Sequence, residues 1–405
     1  MFLPYKDHYD MDIIKFIISV ITSLLFVYMG FYSLYLFVFS VAGKLFAPKN
    51  KPASTKLSKF VIYICSYKED AIILNSAAAA LTIDYPKDLF HICVIADSLK
   101  PETIKTLKKM PLQVLEVVFE SSTKSKALHK AIENTAHGFD AAIVFDIDNI
   151  AAPDYLYKIN DCLQAGDKVV QGHRMAKNTN TPIAILDAIS EEVNNHIFRK
   201  SQRVFNLSSA IIGSGMALEY MLFKDTMLQI DAVGGFDKEM GLLLTRNKIS
   251  VAYAENAIIY DEKVSNPEVF KKQRRRWLSA QFNLFKVYGW SGITELFKHC
   301  NFDYLNEIYQ TAILPRVLML GLMPIMLLFS ILTPGIGPGW QLWLAATACC
   351  YLGILIAIPS SFVNDKLWGA VLRLPLIFLT MVLLLFKLKG ANKKFIHTSH
   401  VHSAD

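Results

Sequence analysis

Wholly apolar strands alternate with helical segments between residues 60 and 145, and this alternation constrains the fold more than any other feature. The predicted strands are 60–65, 90–96, 112–119 and 141–145. The predicted helices are 69–81, 101–109 and 124–136. Strands without polar alternation are buried on both faces, and strand–helix alternation is typical of parallel sheets. The sequence therefore predicts an α/β domain whose mainly parallel sheet has helices on both faces.

Polar side chains follow these strands at the points where the strands end. Ligands of parallel sheets bind beyond the carboxyl ends of the strands, so these positions are the first candidates for a functional site. They are Ser66, Tyr67, Glu69, Asp97, Asp146 and Asp148.

Asp146 and Asp148 form an Asp-x-Asp pair directly after the apolar residues 143–145. Carboxylate oxygens at a strand end suit Mg²⁺ or Mn²⁺, with substrate phosphates completing the coordination shell. Such a metal neutralises charge on a departing diphosphate. A solvated loop is the structural alternative. A haloacid-dehalogenase phosphatase is the functional one, but its Asp-x-Asp lies near the start of the domain and here the pair follows the fourth strand.

Long apolar runs predict membrane segments on both sides of this domain. The chain is 53% hydrophobic. Residues 13–42 contain one charge, Lys15, and are long enough to span a bilayer as a retained anchor. Residues 312–333 and 340–360 predict a transmembrane hairpin. The final run, 374–386, is shorter and favours an interfacial or re-entrant helix.

The net charge of +7 does not indicate a nucleic-acid partner. The lysines cluster beside the apolar runs, which is the pattern of cytoplasmic flanks that contact anionic lipid. We therefore expect the soluble domain in the cytoplasm, attached to the cell membrane. The six cysteines show no paired metal-ligand spacing.

A basic aromatic motif, Gln-Arg-Arg-Arg-Trp at 273–277, lies on a helix predicted to begin at Asn266-Pro267. Gln273, Arg276 and Trp277 stand at i, i+3 and i+4 and share one helix face. Trp277 offers a flat surface to a sugar, and Arg276 can bind a diphosphate oxygen. A juxtamembrane helix that binds lipid headgroups is the alternative.

In this order and at these spacings, the motifs resemble the inverting glycosyltransferases of family 2 over residues 55–285. They are most similar to the membrane-embedded branch that includes cellulose, chitin and hyaluronan synthases. The resemblance implies a GT-A-type domain that moves a sugar, most often UDP-linked, onto a growing polysaccharide. A single transfer to a lipid-linked acceptor and an inactive sugar-binding scaffold are the alternatives. The oligomeric state stays open, a homo-oligomer included.

The resemblance also assigns roles to the donor side of the site. The residues that would bind the nucleotide sugar are Tyr67, Glu69, Asp97, Lys126, Asp146 and Arg276, and those that would bind Mg²⁺ or Mn²⁺ are Asp146 and Asp148. Lys68 stands where the family usually has asparagine. Helix capping is the simpler explanation for Asp97, and a solvated helix face for Lys126.

On the acceptor side, the resemblance implies contacts from Gly213, Ser214, Gly215, Gln273 and Trp277. An inverting transferase needs one carboxylate to remove the proton of the acceptor hydroxyl. Asp237 matches the family's catalytic base, although Phe236 replaces the glutamate that usually precedes it. Glu239 is the second candidate.

These predictions divide the chain into six parts. They are an N-terminal membrane anchor (1–46), a linker (47–59), a cytoplasmic GT-A domain (60–285), interfacial helices (286–311), a transmembrane hairpin (312–360), and an interfacial or re-entrant helix with a basic tail (361–405).

Overall fold

The computed structural model describes residues 5–46 and 48–388. The predicted basic tail from residue 389 onward, the first four residues of the predicted anchor and Ala47 of the linker lie outside the described residues. The central sheet consists of β1 (Phe60–Tyr67), β2 (Phe90–Asp97), β3 (Gln113–Val117), β4 (Ala141–Phe145), β5 (Ile150–Ala151), β6 (Val169–Ala176), β7 (Met216–Glu219) and β8 (Ala252–Asp261).

The helices extend on both sides of this domain in the sequence. The N-terminal helix is α1 (Tyr5–Leu45). Those of the central part are α2 (Asp70–Leu81), α3 (Pro101–Leu107), α4 (Lys124–Glu133), α5 (Tyr155–Gln164), α6 (Pro182–Asn194), α7 (Ser201–Val204), α8 (Tyr220–Met227), α9 (Phe236–Arg246) and α10 (Pro267–His299). A π-helical segment, Asn195–Lys200, joins α6 to α7. The C-terminal helices are α11 (Phe302–Ala312), α12 (Arg316–Leu332), α13 (Trp340–Ala357), α14 (Asp365–Val371) and α15 (Leu374–Leu385), with a 3₁₀ turn at Ser360–Phe362.

The sheet is mixed and mainly parallel, which confirms the predicted fold class. Its strand order is β3-β2-β1-β4-β7-β6-β8-β5. The pairs β2–β3, β1–β2, β1–β4 and β6–β8 are parallel. The short β7 runs antiparallel to both β4 and β6, and β5 runs antiparallel to β8. The carboxyl ends of β1, β2 and β4 therefore meet at one edge of the sheet.

Helices cover both faces of the sheet because its central strands are apolar throughout. On β1, Phe60, Ile62 and Ile64 are buried in one apolar cluster, while Val61 and Tyr63 are buried in a second on the opposite face. Such strands can be buried only between two layers of helices.

The π-helical continuation of α6 connects the domain to the apolar helices. Thr181 caps α6, because its hydroxyl accepts a hydrogen bond from the Ala184 amide at 3.2 Å. One side of α6 carries the apolar residues Ile189 and Val193, and Ile197 of the π-helical segment continues this apolar side. These three pack in one cluster with residues of α1, α12 and α13. The sheet domain and the apolar helices therefore share a core.

Within the described residues, three helical stretches are long and apolar enough to cross a membrane: Asp12–Leu45, Trp340–Ala357 and Leu367–Leu385. The last includes the run for which the sequence predicted an interfacial or re-entrant helix. The predicted span at 312–333 also differs in form. Its helix begins at Arg316, after a break that bends α11 and α12 by 74°. Pro315 lacks an amide hydrogen, which favours a break at this point. The number of spans stays a prediction.

Polar side chains from two other helices bind the backbone at this break. The Tyr28 hydroxyl accepts from the Leu314 amide at 2.9 Å and donates to the Ala312 carbonyl at 3.2 Å. The Gln281 side chain of α10 donates to the Ile313 carbonyl at 2.6 Å.

Because α10 extends without interruption to His299, the predicted domain boundary at residue 285 falls inside a helix.

Candidate active site

A cavity of about 740 Å³ opens at the carboxyl ends of the parallel strands. It collects most of the residues that the sequence singled out, although they are far apart along the chain. Those that line it are Tyr67, Glu69, Asp97, Asp146, Asp148, Gly213, Asp237, Gln273, Arg276 and Trp277. The residues that follow β1, β2 and β4 lie close together because these strands are parallel and end side by side.

The Asp-x-Asp loop is held by hydrogen bonds at both carboxylates. Asp146 accepts a charged hydrogen bond from Lys124, and Asp148 accepts from the Glu262 amide at 2.8 Å. Burial alone would raise the pKa of Asp146. The nearby Lys124 ammonium outweighs that effect and holds the pKa below its usual range. Asp146 is therefore ionised at neutral pH.

The two carboxylates fit a divalent cation that takes most of its ligands from elsewhere. Within the described residues, no group of three or more His, Cys, Asp or Glu side chains could hold a metal alone. Mg²⁺ is commonly held by one or two carboxylates together with substrate phosphates and water. Asp146 and Asp148 provide such a set of hard oxygen ligands at the cavity wall.

Of the two lysines in the first turn of α4, Lys124 lines the cavity and the predicted Lys126 does not. The Lys124 ammonium bonds Asp146, donates to the Gly213 carbonyl at 2.8 Å, and lies 5.3 Å from the centre of the Phe236 ring. The Lys126 ammonium instead donates to the Ser121 carbonyl at 3.1 Å. Thr123 caps α4, so Lys124 is its first residue and faces the strand end. In the sequence, Thr123 marks the start of this helix, and that signal could have indicated Lys124 instead of Lys126.

The Gly213-Ser214-Gly215 segment reaches the cavity through its first residue. Gly213 has φ 72°, and a Cβ there would lie 3.2 Å from Cβ of Asp237, so only glycine allows this approach. Ser214 is fully buried, and neither it nor Gly215 lines the cavity. The side chain of Gln171 donates to the carbonyls of both at 3.0 and 2.9 Å. Both residues therefore support the loop through their backbone, and the Ser214 side chain also forms a hydrogen bond with the Asp146 carboxylate.

The structure separates the two candidates for the catalytic base. Asp237, in the first turn of α9, lines the cavity with Asp146 and Arg276. Glu239 lines a different pocket, where its carboxylate accepts from the Tyr288 hydroxyl at 2.8 Å. Phe236, which replaces the expected glutamate, is buried against the core. Of the two carboxylates, only Asp237 faces the cavity that contains the Asp-x-Asp pair.

Four of the five residues of the basic motif on α10 line the cavity: Gln273, Arg274, Arg276 and Trp277. The Arg274 guanidinium pairs with Asp187 of α6 and stacks over the Trp277 ring at 4.5 Å. One face of the Trp277 ring is therefore already covered by a cation, and the sequence did not identify Arg274 or Asp187 as site residues.

A buried charge network, also missed by the sequence analysis, lines the same cavity as the Asp-x-Asp loop. Glu191 pairs with Arg174 at 2.8 Å and Arg199 at 2.9 Å, and Lys263 pairs with Asp261 at 2.8 Å. Burial raises the pKa of Asp261 to about 6 despite its cationic neighbours. These residues come from separate elements, so no local pattern indicates the network.

The far wall of the same cavity is apolar. It is lined by residues of α12 to α15 and the turn that precedes α14: Val317, Leu320, Ile354, Ile358, Leu367, Val371, Leu374, Ile377 and Met381. One continuous space therefore extends from the Asp-x-Asp loop to helices with the composition of membrane spans.

Comparisons with known proteins agree with this geometry. A family model described as glycosyltransferase-like family 2 matches residues 58–280, more than half of the chain. Among solved structures, a mannosyltransferase from Pyrobaculum calidifontis in complex with GDP-Man and Mn²⁺ is similar, with a TM-score of 0.54 and 12% identity, over 88% of this chain and 98% of that one.

Two further structures resemble the chain less closely. Glucosyl-3-phosphoglycerate synthase from Mycobacterium tuberculosis has a TM-score of 0.40 and 15% identity, over 55% of this chain and 78% of that one. TarS 1–349 from S. aureus has a TM-score of 0.37 and 14% identity, over 73% and 90% of the two chains. No curated protein matches the sequence significantly.

The fold and the cavity define a GT-A-type transferase that uses a nucleotide sugar. The chain belongs to glycosyltransferase family 2.

The two neighbouring lysines provide a matched test of the donor site. We expect Lys124→Gln to weaken nucleotide-sugar binding by about 10–100-fold, because a charge-assisted hydrogen bond contributes roughly 1.5–3 kcal/mol. Lys126→Gln should change it by less than about twofold, since its ammonium lies outside the cavity. Isothermal titration with a donor measures both, with thermal melting as the check on folding. Equal effects in the two variants would contradict the assignment.

Proposed function

We propose that this protein is a membrane-bound, metal-dependent, inverting glycosyltransferase that adds one sugar to a lipid-linked acceptor. The observation that carries the proposal is the continuity of the cavity. Its polar end contains Asp146, Asp148 and Asp237, and its other end is lined by aliphatic residues of α12 to α15 and the turn before α14. A lipid-linked sugar has the same division between a polar reacting end and an apolar chain.

On the donor side, Tyr67, Glu69 and Asp97 line the part of the cavity beside β1 and β2, where the nucleoside would bind. Lys124 and Arg276 would contact the diphosphate. A divalent ion held by Asp146 and Asp148 would neutralise charge on the leaving diphosphate.

On the acceptor side, Asp237 would remove the proton of the acceptor hydroxyl while that oxygen attacks the anomeric carbon opposite the leaving group, which inverts the configuration. Gly213 allows the acceptor to approach Asp237 closely. Gln273 and Trp277 would orient the acceptor sugar from α10.

Extension of a polysaccharide is the second candidate, and the Gln-x-x-Arg-Trp motif supports it. Trp277 is 38% exposed and lines the cavity, so it could contact the sugar unit at the end of a polymer. The aliphatic far wall favours the lipid-linked acceptor, because a polysaccharide has no apolar chain to place against it.

Lysines that flank α1 support a cytoplasmic location for the sheet domain.

Product analysis tests the acceptor class. We expect purified protein in nanodiscs to add a single sugar to a polyprenyl-diphosphate monosaccharide when supplied with its donor from a panel of nucleotide sugars. Mass spectrometry of the products makes the distinction. A ladder of polymer products would establish the second candidate, and the absence of nucleotide release with every donor would support a sugar-binding scaffold.

Asp148→Asn tests the metal. The variant keeps an acceptor for the Glu262 amide but loses the charge, so we expect sugar transfer to fall below detection at Mn²⁺ concentrations that saturate the wild type. Asp140→Asn is the control, because Asp140 also accepts from a backbone amide, that of Lys59, but lies outside the cavity. Full activity of Asp148→Asn, or of the wild type in excess EDTA, would refute metal dependence.

Asp237→Asn tests the base. We expect the rate of transfer to fall by ~10²–10⁴-fold, which is the usual contribution of general base catalysis, with KM for the donor unchanged. Glu239→Gln should remain within a few-fold of the wild type, because its side chain lies in the other pocket with Tyr288. Steady-state kinetics of both variants decide between the two carboxylates, and the reverse pattern would transfer the role to Glu239.

A further inference from the structure

Arg316 is the first residue of α12 and lies where the cavity wall changes from polar to apolar. Its Nη2 donates to the Ser190 carbonyl at 2.7 Å, the Ser190 hydroxyl at 2.9 Å and the Asn194 side-chain oxygen at 2.9 Å. All three acceptors are neutral. Its Nη1 is shielded from water and has no hydrogen-bond partner among the described residues.

Three other arginines on this cavity have carboxylate partners. Arg174 and Arg199 pair with Glu191, and Arg274 pairs with Asp187. No carboxylate of the described residues forms an ion pair with Arg316. A charge removed from water costs free energy unless an opposite charge lies beside it. Arg316 therefore has an unpartnered nitrogen and a charge with no carboxylate in direct contact.

The surroundings indicate the kind of anion that could supply the missing charge. Val317 and Leu320 follow Arg316 on α12 and line the same cavity, as do Ile358 and Ile377 from the neighbouring segments. The amino terminus of α12 adds a favourable helix dipole for a negative group. An anion here would be attached to an apolar chain on one side and could extend toward the Asp-x-Asp loop on the other.

We propose that Arg316 binds the phosphate that joins the acceptor sugar to its lipid. This inference rests on the proposed function and specifies its substrate class as a lipid-phosphate-linked saccharide. The acceptor hydroxyl then lies near Asp237, its phosphate at Arg316, and its lipid chain along α12 to α15. The guanidinium can keep Nη2 on Ser190 and Asn194 while Nη1 binds a phosphate oxygen, a division between two nitrogens that a single ammonium group cannot reproduce.

The experiment compares two acceptors that differ only in the linkage. A polyprenyl-diphosphate monosaccharide carries the phosphate, and an alkyl glycoside of the same sugar with the same polyprenyl chain does not. We expect Arg316→Gln to raise KM for the phosphate-linked acceptor about 10–100-fold, as loss of a charged hydrogen bond would. KM for the alkyl glycoside and for the donor should stay within about twofold.

Arg246→Gln is the matched control, because Arg246 pairs with Glu295 and lies outside the cavity. It should leave the KM values for all three substrates unchanged. Inorganic phosphate and pyrophosphate serve as competitors. If they inhibit the wild type and the Arg316→Gln variant equally, they act at the donor site. Stronger inhibition of the wild type supports a phosphate site at Arg316.

The outcomes separate this inference from the function on which it rests. If the wild type transfers to lipid-linked sugars and Arg316→Gln retains its KM for the phosphate-linked acceptor, the inference is wrong and the function stands. If the wild type uses no lipid-linked acceptor, the proposed function itself fails. A rise in KM for the donor would place Arg316 at the donor diphosphate instead.

Arg316→Lys provides the answer if the glutamine variant does not fold. It keeps the positive charge and a donor toward Ser190 and Asn194, but it lacks the two-nitrogen geometry. We expect a several-fold rise in KM for the phosphate-linked acceptor alone. Unchanged kinetics with both acceptors in a folded lysine variant would overturn the proposed geometry.

Discussion

The ion pairs of Glu191 are the interaction on which the rest of the structure depends. This buried carboxylate on α6 binds Arg174 of β6 and Arg199 of the π-helical segment, and it lies 3.6 Å from Lys263. The other side of α6 packs against α1, α12 and α13. Removal of one partner from a buried charge network typically costs about 3–5 kcal/mol. Helix α6 therefore fixes the position of the sheet relative to the apolar helices.

This fixed arrangement would allow the proposed donor and acceptor sites to share one cavity. Lys124 and Asp146 approach from the sheet, while Gln273 and Trp277 approach from α10. The same α10 binds the break before α12 through Gln281. A sugar acceptor that enters along the apolar wall would therefore meet the donor at a position set by packing between the two parts.

Phe236 shows how a departure from the family pattern can be accommodated. Phe236 is 7% exposed, packs within an apolar core and also reaches the cavity wall. Its ring lies beside the Lys124 ammonium, an arrangement that contributes favourable cation–π attraction. The substitution removes one carboxylate from the segment and leaves Asp237 directed to the cavity.

The sequence by itself determined the four strands between residues 60 and 145, the mainly parallel sheet, the Asp-x-Asp loop and the start of α10, because each depends on local periodicity or capping; β5 to β8 were not predicted. Only the tertiary structure placed Lys124 rather than Lys126 in the cavity, because that choice depends on contacts with Asp146 and Gly213. It also decided the charge network, the bend before α12 and the continuity of the cavity. These features arise from packing between segments distant in the chain, which local patterns do not encode.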